Sequence, residues 1–147
     1  MEHVEYVYTE GVDEAETERL LREHGHGVLA LAKDNDAYAV PLNYFYDGSS
    51  LLIRVSEEPD STKAAYAEST EMATFIIYDV EDERTSWSVM VRGHIERLPE
   101  DDQERFTDPV LNERFPPFHL FDEHVPEVEM VIYELDPYEI TARRTLS

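Results

Sequence analysis

An arginine, two hydroxyl residues and a lysine lie within ten positions of one another in a chain that has few basic residues. Arg54 belongs to the apolar run Leu51–Val55, and Ser61, Thr62 and Lys63 follow where a helix is expected to begin. Backbone N–H groups at a helix start, together with hydroxyl, ammonium and guanidinium donors, can hold a phosphate or a similar anion. The pattern therefore predicts an anion site. The alternative is an ordinary helix N-cap with a solvated arginine nearby.

The sequence is strongly acidic along its whole length. It contains 34 Asp and Glu residues against 12 Lys and Arg residues, only two of which are lysines, and its formal net charge is −22. Self-repulsion would destabilise an ordinary domain with this charge, but at about 1 M salt the Debye length is only about 3 Å and the repulsion is screened. The composition is therefore typical of a protein adapted to concentrated salt. The alternative is an acidic protein that mimics nucleic acid.

The composition also excludes several classes of function. The chain has no basic stripe for nucleic-acid phosphates, and it has no cysteine for disulfides, thiolate metal sites or a cysteine nucleophile. It has no apolar run of about 18 residues and no signal-peptide pattern. We therefore expect a cytoplasmic protein that binds neither nucleic acid nor membrane. The length of 147 residues and the apolar fraction of 41% predict a single folded domain over residues 1–147.

Local patterns in the first half of the chain predict a short helix and three strands. Asp13 is a suitable N-cap for a helix that ends near Glu23, and Glu16 stands at capping-box spacing from it. Asp47-Gly48 is a strong hairpin signal between two strands. The predicted strands are Val28–Ala32, Ala37–Tyr46 and Leu51–Ser56.

The second half predicts further strands and two helices. The apolar run Met72–Val80 is expected to be a strand buried on both faces, because its residues do not alternate with polar ones. The other expected strands are Ser86–Leu98, Val128–Leu135 and Tyr138–Arg143, and the expected helices are Lys63–Glu68 and Glu100–Arg114. Hairpin-linked strands with helices at two crossovers predict a mainly β fold, a six- to seven-stranded antiparallel barrel with two or three flanking helices.

The strand Ala39–Tyr46 could lie against a planar ligand. Pro41 donates no hydrogen bond to a ladder, which leaves neighbouring backbone groups available, and Asn43 could meet the polar edge of a ring. Tyr44 and Phe45 are expected on opposite faces of this strand. From the hairpin alone, an edge strand with aromatic packing is the better interpretation.

Trp87 is the only tryptophan in the chain. Its neighbours alternate between apolar and polar residues, which puts it on the same face as Val89 and Val91. A tryptophan in the core or at a dimer interface is the default interpretation. A tryptophan that stacks on a ligand ring is the alternative.

No side chain can be singled out as catalytic or as a metal ligand. His24 and His26 have the H-x-H spacing of two ligands on one strand face, but they flank a glycine and lack a carboxylate at matching spacing. His119 and His124 lie in an expected loop and are interpreted as surface residues. The chain has no G-x-S-x-G motif, P-loop or G-x-G-x-x-G motif, and its carboxylates are too numerous for one acid/base pair to stand out.

Taken together, four blocks of the sequence resemble the pyridoxamine 5′-phosphate oxidase-like, FMN-binding split-barrel family. The resemblance extends from about Glu18 to Arg143 and rests on the order and spacing of the blocks. The blocks are Gly27–Ala32, Tyr38–Tyr44 with the Asp47-Gly48 turn, Arg54 through Ser61–Lys63, and Trp87–Gly93. Their disposition also resembles halophilic archaeal members, in agreement with the acidic charge.

The resemblance implies a Greek-key split barrel that forms a homodimer with two FMN molecules in clefts at the subunit interface. The residues that would lie along the isoalloxazine ring are Val40, Pro41, Leu42 and Asn43. The residues that would hold the FMN phosphate are Arg54, Ser61, Thr62 and Lys63. Trp87 would approach the flavin from the interface. The phosphate residues are the same ones that predict an anion site from their chemistry.

The sequence departs from a true vitamin B6 oxidase in the residues that would bind the substrate phosphate. These are not recognisable near the C-terminus, where only Arg143-Arg144 is basic, and the helix after Lys63 is short. We therefore expect an FMN-dependent oxidoreductase that acts on a small molecule of a class the sequence does not identify. Two alternatives remain. One is a non-catalytic module on the same dimeric barrel that binds flavin, the deazaflavin F420 or haem; the other is an acidic interaction protein with an empty barrel.

Overall fold

A computed structural model of the chain describes residues 9–57, 62–103 and 129–145. Within these ranges the chain forms seven strands and three helices. The strands are β1 (Thr9–Gly11), β2 (His26–Lys33), β3 (Asp36–Tyr46), β4 (Leu51–Glu57), β5 (Ala73–Val80), β6 (Ser86–Arg97) and β7 (Glu129–Thr145). The helices are α1 (Glu14–Glu23), α2 (Thr62–Ser69) and α3 (Glu100–Gln103).

Six of the strands close into an antiparallel barrel. The strand order is β7-β4-β3-β2-β5-β6, and a second pairing between β6 and β7 completes the circle. β1 is an extra strand that pairs with the last residues of β7. The fold class predicted from the sequence, a mainly β antiparallel barrel with flanking helices, is confirmed.

The barrel interior is filled by alternate side chains of every strand, as a closed sheet requires. The largest fully buried side chains include Tyr44 and Phe75, whose rings meet edge to face with centroids 5.2 Å apart. Helices α1 and α2 add leucines and an alanine to the same core. The Tyr44 hydroxyl donates to the backbone oxygen of Leu21 at 2.8 Å, and burial raises the pKa of this phenol well above its ordinary value. This buried hydrogen bond ties α1 to β3.

Local capping and turn chemistry follow the sequence closely. Asp13 is the N-cap of α1, and its Oδ1 accepts a hydrogen bond from the Glu16 backbone at 2.8 Å. The β2–β3 hairpin turns through Asp34 and Asn35, both with positive φ, as a tight hairpin of primed type requires. In the turn between β3 and β4, the Asp47 carboxylate accepts hydrogen bonds from the backbone N–H groups of Ser49 and Ser50, at 2.9 and 2.8 Å.

The predicted strands Val128–Leu135 and Tyr138–Arg143 are one continuous strand, β7. The two predicted strands are joined through Pro137, which lies opposite Gly93. The β6–β7 register shifts there, between Arg92 and Gly93, so the strand continues through a bulge. A proline is tolerated at such a position, since its missing N–H is not required by a regular ladder. The short strand β1 was not predicted, because three residues carry too little pattern to be recognised.

The prediction that Met72–Val80 is buried on both faces is wrong. One face of β5 is buried in the barrel, whereas the side chains of Tyr78 and Val80 are more than half exposed. An apolar run without alternation therefore marks here a strand with an apolar outer face.

Of the predicted helix Glu100–Arg114, the described part is α3. The remainder, the loop with His119 and His124, and Ser61 lie outside the described residues.

The carboxylates in the described part of the chain are on its surface. No Asp or Glu side chain that the structure describes is buried, and the only buried charged residue in that part of the chain is Arg54. No helix in the described ranges is long and apolar enough to span a membrane. The folded state therefore concentrates negative charge on its exterior, where dissolved salt can screen it.

The bulge opposite Pro137 predicts that glycine is required at position 93. A Cβ at this position would overlap the backbone oxygen of Asp136 and lie 2.9 Å from the Cα of Pro137. Gly93→Ala is expected to lower the free energy of unfolding by about 1–3 kcal/mol, measured by denaturant titration. Gly11→Ala is the matched control, because a Cβ there meets no atom within 4 Å. Equal stability of the two variants would contradict this prediction.

The surface charge predicts that salt stabilises the fold. Raising salt from about 0.1 M to about 1 M shortens the Debye length from about 10 Å to about 3 Å, which weakens repulsion among surface carboxylates. The free energy of unfolding, measured by denaturant titration in urea at several KCl concentrations, is expected to rise over this range. A value that stays constant or falls would show that self-repulsion does not limit stability.

Candidate functional site

The strands β3 and β4 separate partway along their length. They pair only where Asn43–Tyr46 meets Leu51–Arg54. Beyond this ladder, residues 36–42 of β3 pair with β2, and residues 55–57 of β4 pair with β7. We call the point of separation, marked by the opposed residues Asn43 and Arg54, the fork. At the fork, one backbone edge of β3 has no neighbouring strand among the described pairings.

Asn43 and Arg54 face away from the barrel core and lie directly opposite each other on neighbouring strands. The Cβ atoms of such opposed residues are typically about 4.5–5.5 Å apart. Their exposed fractions are only 6% and 7%, which is low for an amide and a guanidinium on the outside of a barrel. Arginine stays protonated in proteins, so the Arg54 guanidinium is a buried positive charge.

Asn43 carries an unused hydrogen-bond acceptor. Its Oδ1 atom is fully buried and accepts no hydrogen bond. Leaving a buried polar atom unsatisfied costs about 1–3 kcal/mol, and native structures contain few such atoms. A ligand that brings a hydrogen-bond donor to Oδ1 would recover this free energy.

A small apolar cluster borders this polar pair on the outside of the barrel. Leu52 and Ile132 are buried there, and Phe45 and Leu98 pack against them. The backbone N–H of Leu98 donates to the oxygen of Ile132 at 3.0 Å, which holds the segment after β6 against β7. Apolar surroundings lower the local dielectric constant and strengthen the attraction of a buried guanidinium for an anion.

His26 lies beside the fork, a position that its H-x-H spacing in the sequence did not indicate. It lies opposite Asn43 on β2, so His26, Asn43 and Arg54 form one row across three strands on the outer face. His24, by contrast, lies at the C-terminal end of α1, and its ring contacts Trp87 at a tilt of 45°, with centroids 4.6 Å apart. The two histidines therefore do not form a metal pair, and no group of potential metal ligands occurs among the residues the structure describes. Only the strand register could have revealed His26.

Thr62 and Lys63 form the first turn of α2, as the sequence predicted for a helix start. Thr62 is exposed and Lys63 is half-buried. The helix contacts β2, β4 and β6, and its Thr70 end bonds to the backbone of Ala32 in β2. The hydroxyl of Tyr66 donates to Asp36 at 2.8 Å. The helix is thus held on the side of the barrel where β3 and β4 are apart.

The remaining predicted residues of β3 divide between the two faces of the strand. Val40 and Leu42 point toward the core, whereas Pro41 is exposed on the outer face with Asn43. A ligand on the outer face could touch the side chains of Pro41 and Asn43 but only the backbone of Val40 and Leu42. The predicted contact of these residues with a flavin ring stays a prediction, and for Val40 and Leu42 it can involve only backbone atoms.

Trp87 lies on the other side of the barrel wall from the Asn43–Arg54 pair. It is 8% exposed and belongs to the core cluster with Val89 and Val91, which confirms the face predicted for it. Within one chain, the structure therefore does not bring Trp87 together with Asn43 and Arg54. Its predicted approach to a ligand from an interface would require a second subunit.

Comparison with known proteins identifies a matching family. A family model described as pyridoxamine 5′-phosphate oxidase matches residues 13–144. No curated protein sequence matches the chain.

Several solved structures have the same fold. A FAD-binding protein from Mesorhizobium loti has a TM-score of 0.72 and 22% identity, covering 94% of this chain and 99% of its own. The FAD-binding protein from Mycobacterium smegmatis has a TM-score of 0.67 and 21% identity, and the match covers 92% of this chain and 97% of that protein. The FAD- and haem-binding protein from the same organism has a TM-score of 0.64 and 16% identity, and the match covers 96% of this chain and 74% of that protein. At these identities the likeness establishes the fold.

Proposed function

Because this chain belongs to the pyridoxamine 5′-phosphate oxidase family, we propose that it binds FMN at the fork and is a flavin-dependent oxidoreductase acting on a small molecule. The observation that carries the proposal is the buried pair of Asn43 and Arg54 outside the barrel core. Similar folds in FAD-binding proteins of Mesorhizobium loti and Mycobacterium smegmatis support a flavin as the ligand class.

The residues at the fork suit the parts of a flavin nucleotide. A flavin carries an imide N–H and ribityl hydroxyls that can donate to the buried Oδ1 of Asn43. Its phosphate matches the guanidinium of Arg54, with Thr62 and Lys63 as further donors at the start of α2. The free backbone edge of β3 and the flat side of Pro41 offer contacts to a planar ring. The fork therefore offers a positive charge for the phosphate, a hydrogen-bond acceptor and a surface for a planar ring.

In this proposal the protein binds and orients, and the bound flavin supplies hydride or electron transfer. Arg54 and Lys63 hold the phosphate end, while Asn43 orients the other polar groups through its acceptor. His26 is exposed beside Asn43 in the same row and would lie near the ligand. No side chain needs to take part in the chemistry, which agrees with the absence of a catalytic motif in the sequence.

We also propose that the protein is a homodimer that uses the outer face of β2, β3, β5 and β6. Where these four strands pair with one another, this outer sheet face adjoins the fork and carries no carboxylate in a chain with 34 acidic residues; Glu96, farther along β6, lies beyond those ladders. Its members are Val28, Ala30, Ala32, Ala37, Ala39, Pro41, Thr74, Ile76, Tyr78, Ser88, Met90 and Arg92. Two copies could meet on it without bringing negative charges together, and exposed apolar patches on soluble proteins commonly mark such contacts.

The flavin proposal predicts a selective loss of phosphate binding in a lysine variant. Lys63→Ala is expected to weaken FMN by about 1.5–3 kcal/mol, more than about tenfold in Kd, because it removes a charged hydrogen bond to the phosphate. Binding of riboflavin, which lacks the phosphate, is expected to change little. The measurement is quenching of flavin fluorescence in high salt, with FMN, FAD and riboflavin titrated in parallel.

The chain offers a matched control, since Lys33 is the only other lysine and lies exposed at the end of β2. Lys33→Ala removes the same charge and is expected to leave all three affinities unchanged. Equal losses for FMN and riboflavin in Lys63→Ala would refute the phosphate assignment, and a protein indifferent to every flavin would refute the function. Reduction of the bound flavin by NADH or NADPH then distinguishes an oxidoreductase from a non-catalytic flavin-binding module.

The dimer proposal predicts that one new charge on the outer sheet face separates the subunits. Ala30→Glu places a carboxylate in the middle of that face, and two copies would then bring like charges together. Sedimentation velocity in high salt is expected to show a dimer for the parent protein and a monomer for this variant. The same substitution at Ala15, exposed on α1, is the control and should remain dimeric. A parent protein that sediments as a monomer contradicts the proposal.

A further inference from the structure

A cavity lies at the end of the barrel that α1 covers, and its lining includes no residue of the fork. Its volume is about 520 Å³, within the range of small-molecule sites. We call it the α1 cavity. Its walls come from α1, from the turn between β5 and β6, and from the paired ends of β6 and β7, where Trp87 and Arg144 lie opposite each other.

The lining of the α1 cavity is rich in arginine for this chain. Its lining contains three arginines, Arg19, Arg84 and Arg144, and two glutamates, Glu16 and Glu81. The whole sequence has 34 acidic against 12 basic residues. Three arginines in one cavity lining are therefore a quarter of all basic residues in the chain, and a guanidinium there that is not paired with a carboxylate favours a negatively charged occupant.

Two of the three arginines are held in place by glutamates. Arg19 bonds to Glu16 and Glu23 on its own helix, and Arg144 donates from Nε to Glu10 at 3.0 Å. The hydrogen bond from Arg19 and the nearby positive charges keep the pKa of Glu16 below its ordinary value, so this carboxylate stays ionised at neutral pH. These pairs orient the two guanidiniums while balancing their charge.

Arg84 differs from the other two arginines. Its side chain makes no ion pair with any residue in the described part of the chain, although its backbone is fixed. The Arg84 N–H donates to Asp82 at 2.7 Å, and the turn is closed by a hydrogen bond from Glu81 N–H to the oxygen of Thr85 at 2.8 Å. An exposed guanidinium on a fixed turn at the cavity rim is available to a ligand.

Part of the cavity wall is apolar. It includes Leu20 and the indole of Trp87, which are 6% and 8% exposed. The indole also contacts the ring of His24, with ring centroids 4.6 Å apart and an interplanar angle of 45°. A planar ring could pack on this wall while its charged group reached Arg84.

We propose that the α1 cavity binds a small aromatic carboxylate. The carboxylate accepts two hydrogen bonds from the planar guanidinium of Arg84, and the ring packs against Trp87 and Leu20. This site is separate from the fork, because Trp87 faces the barrel interior whereas Asn43 and Arg54 face outward. The proposal therefore does not depend on flavin binding.

Trp87 makes the test specific, since it is the only tryptophan and lines the cavity. Benzoate is the probe, and benzamide, with the same shape and no charge, is the control ligand. Titration of the full chain with benzoate at constant salt is expected to give a saturable change in tryptophan fluorescence. Benzamide is expected to bind more than about tenfold more weakly, because it cannot form the charged pair with arginine.

Variants locate the interaction. Arg84→Gln is expected to weaken benzoate by more than about tenfold, and Arg84→Lys by less, because lysine keeps the charge but loses the two-pronged geometry. Arg22→Gln is the matched control, since Arg22 is exposed on α1, lies outside the cavity and carries the same charge. It should leave benzoate affinity unchanged.

Several results would overturn the proposal. They are the absence of a saturable response to benzoate, equal affinity for benzamide, and equal effects of Arg84→Gln and Arg22→Gln. A fourth is displacement of benzoate by FMN, which would assign the response to the fork. If the chain binds no flavin but the benzoate results hold, the α1 cavity stands and only the flavin proposal fails.

Discussion

The closure of the barrel by β7 is the constraint on which the rest of the structure depends. This strand pairs with β4 along its first half, with β6 along most of its length and with β1 at its end. Once the sheet is closed, the side chains of each strand must point alternately inward and outward. That alternation puts Ile53 and Val55 in the core and leaves Arg54 between them on the outside. The same rule sends Trp87 inward.

The fork shows how such a barrel can make a polar site without interrupting its core. β3 has 11 residues and β4 has seven, yet they share a ladder of only four residue pairs. Asn43 and Arg54 are the last of these pairs, so they stand beside a backbone edge of β3 that no strand uses. The Oδ1 atom of Asn43 is buried at this point without a hydrogen bond, which costs stability. That cost is the physical reason to regard the pair as a ligand site.

The extreme charge of the chain makes the places without carboxylates informative. On a surface dominated by Asp and Glu, the paired part of the outer sheet face has no acid, and the lining of the α1 cavity includes Arg84, which has no ion pair in the described part of the chain. Salt screening weakens long-range attraction to either place, so recognition there must rest on direct contact and burial. The Arg54 guanidinium satisfies that condition by its burial, whereas the exposed Arg84 depends on the apolar surface of Leu20 and Trp87 in the same cavity lining.

The sequence by itself determined the local elements and the residue types of the site. The Asp13 cap, the Asp47-Gly48 turn and the helix start at Thr62 depend on neighbours a few positions away, and each lies where the pattern predicted it. Only the tertiary structure decided the row of His26, Asn43 and Arg54, the union of two predicted strands into β7, and the place of Trp87 beside the α1 cavity. These features depend on the register between strands far apart in the chain. A shift of one residue would reverse every face, and a single sequence contains no local signal for it.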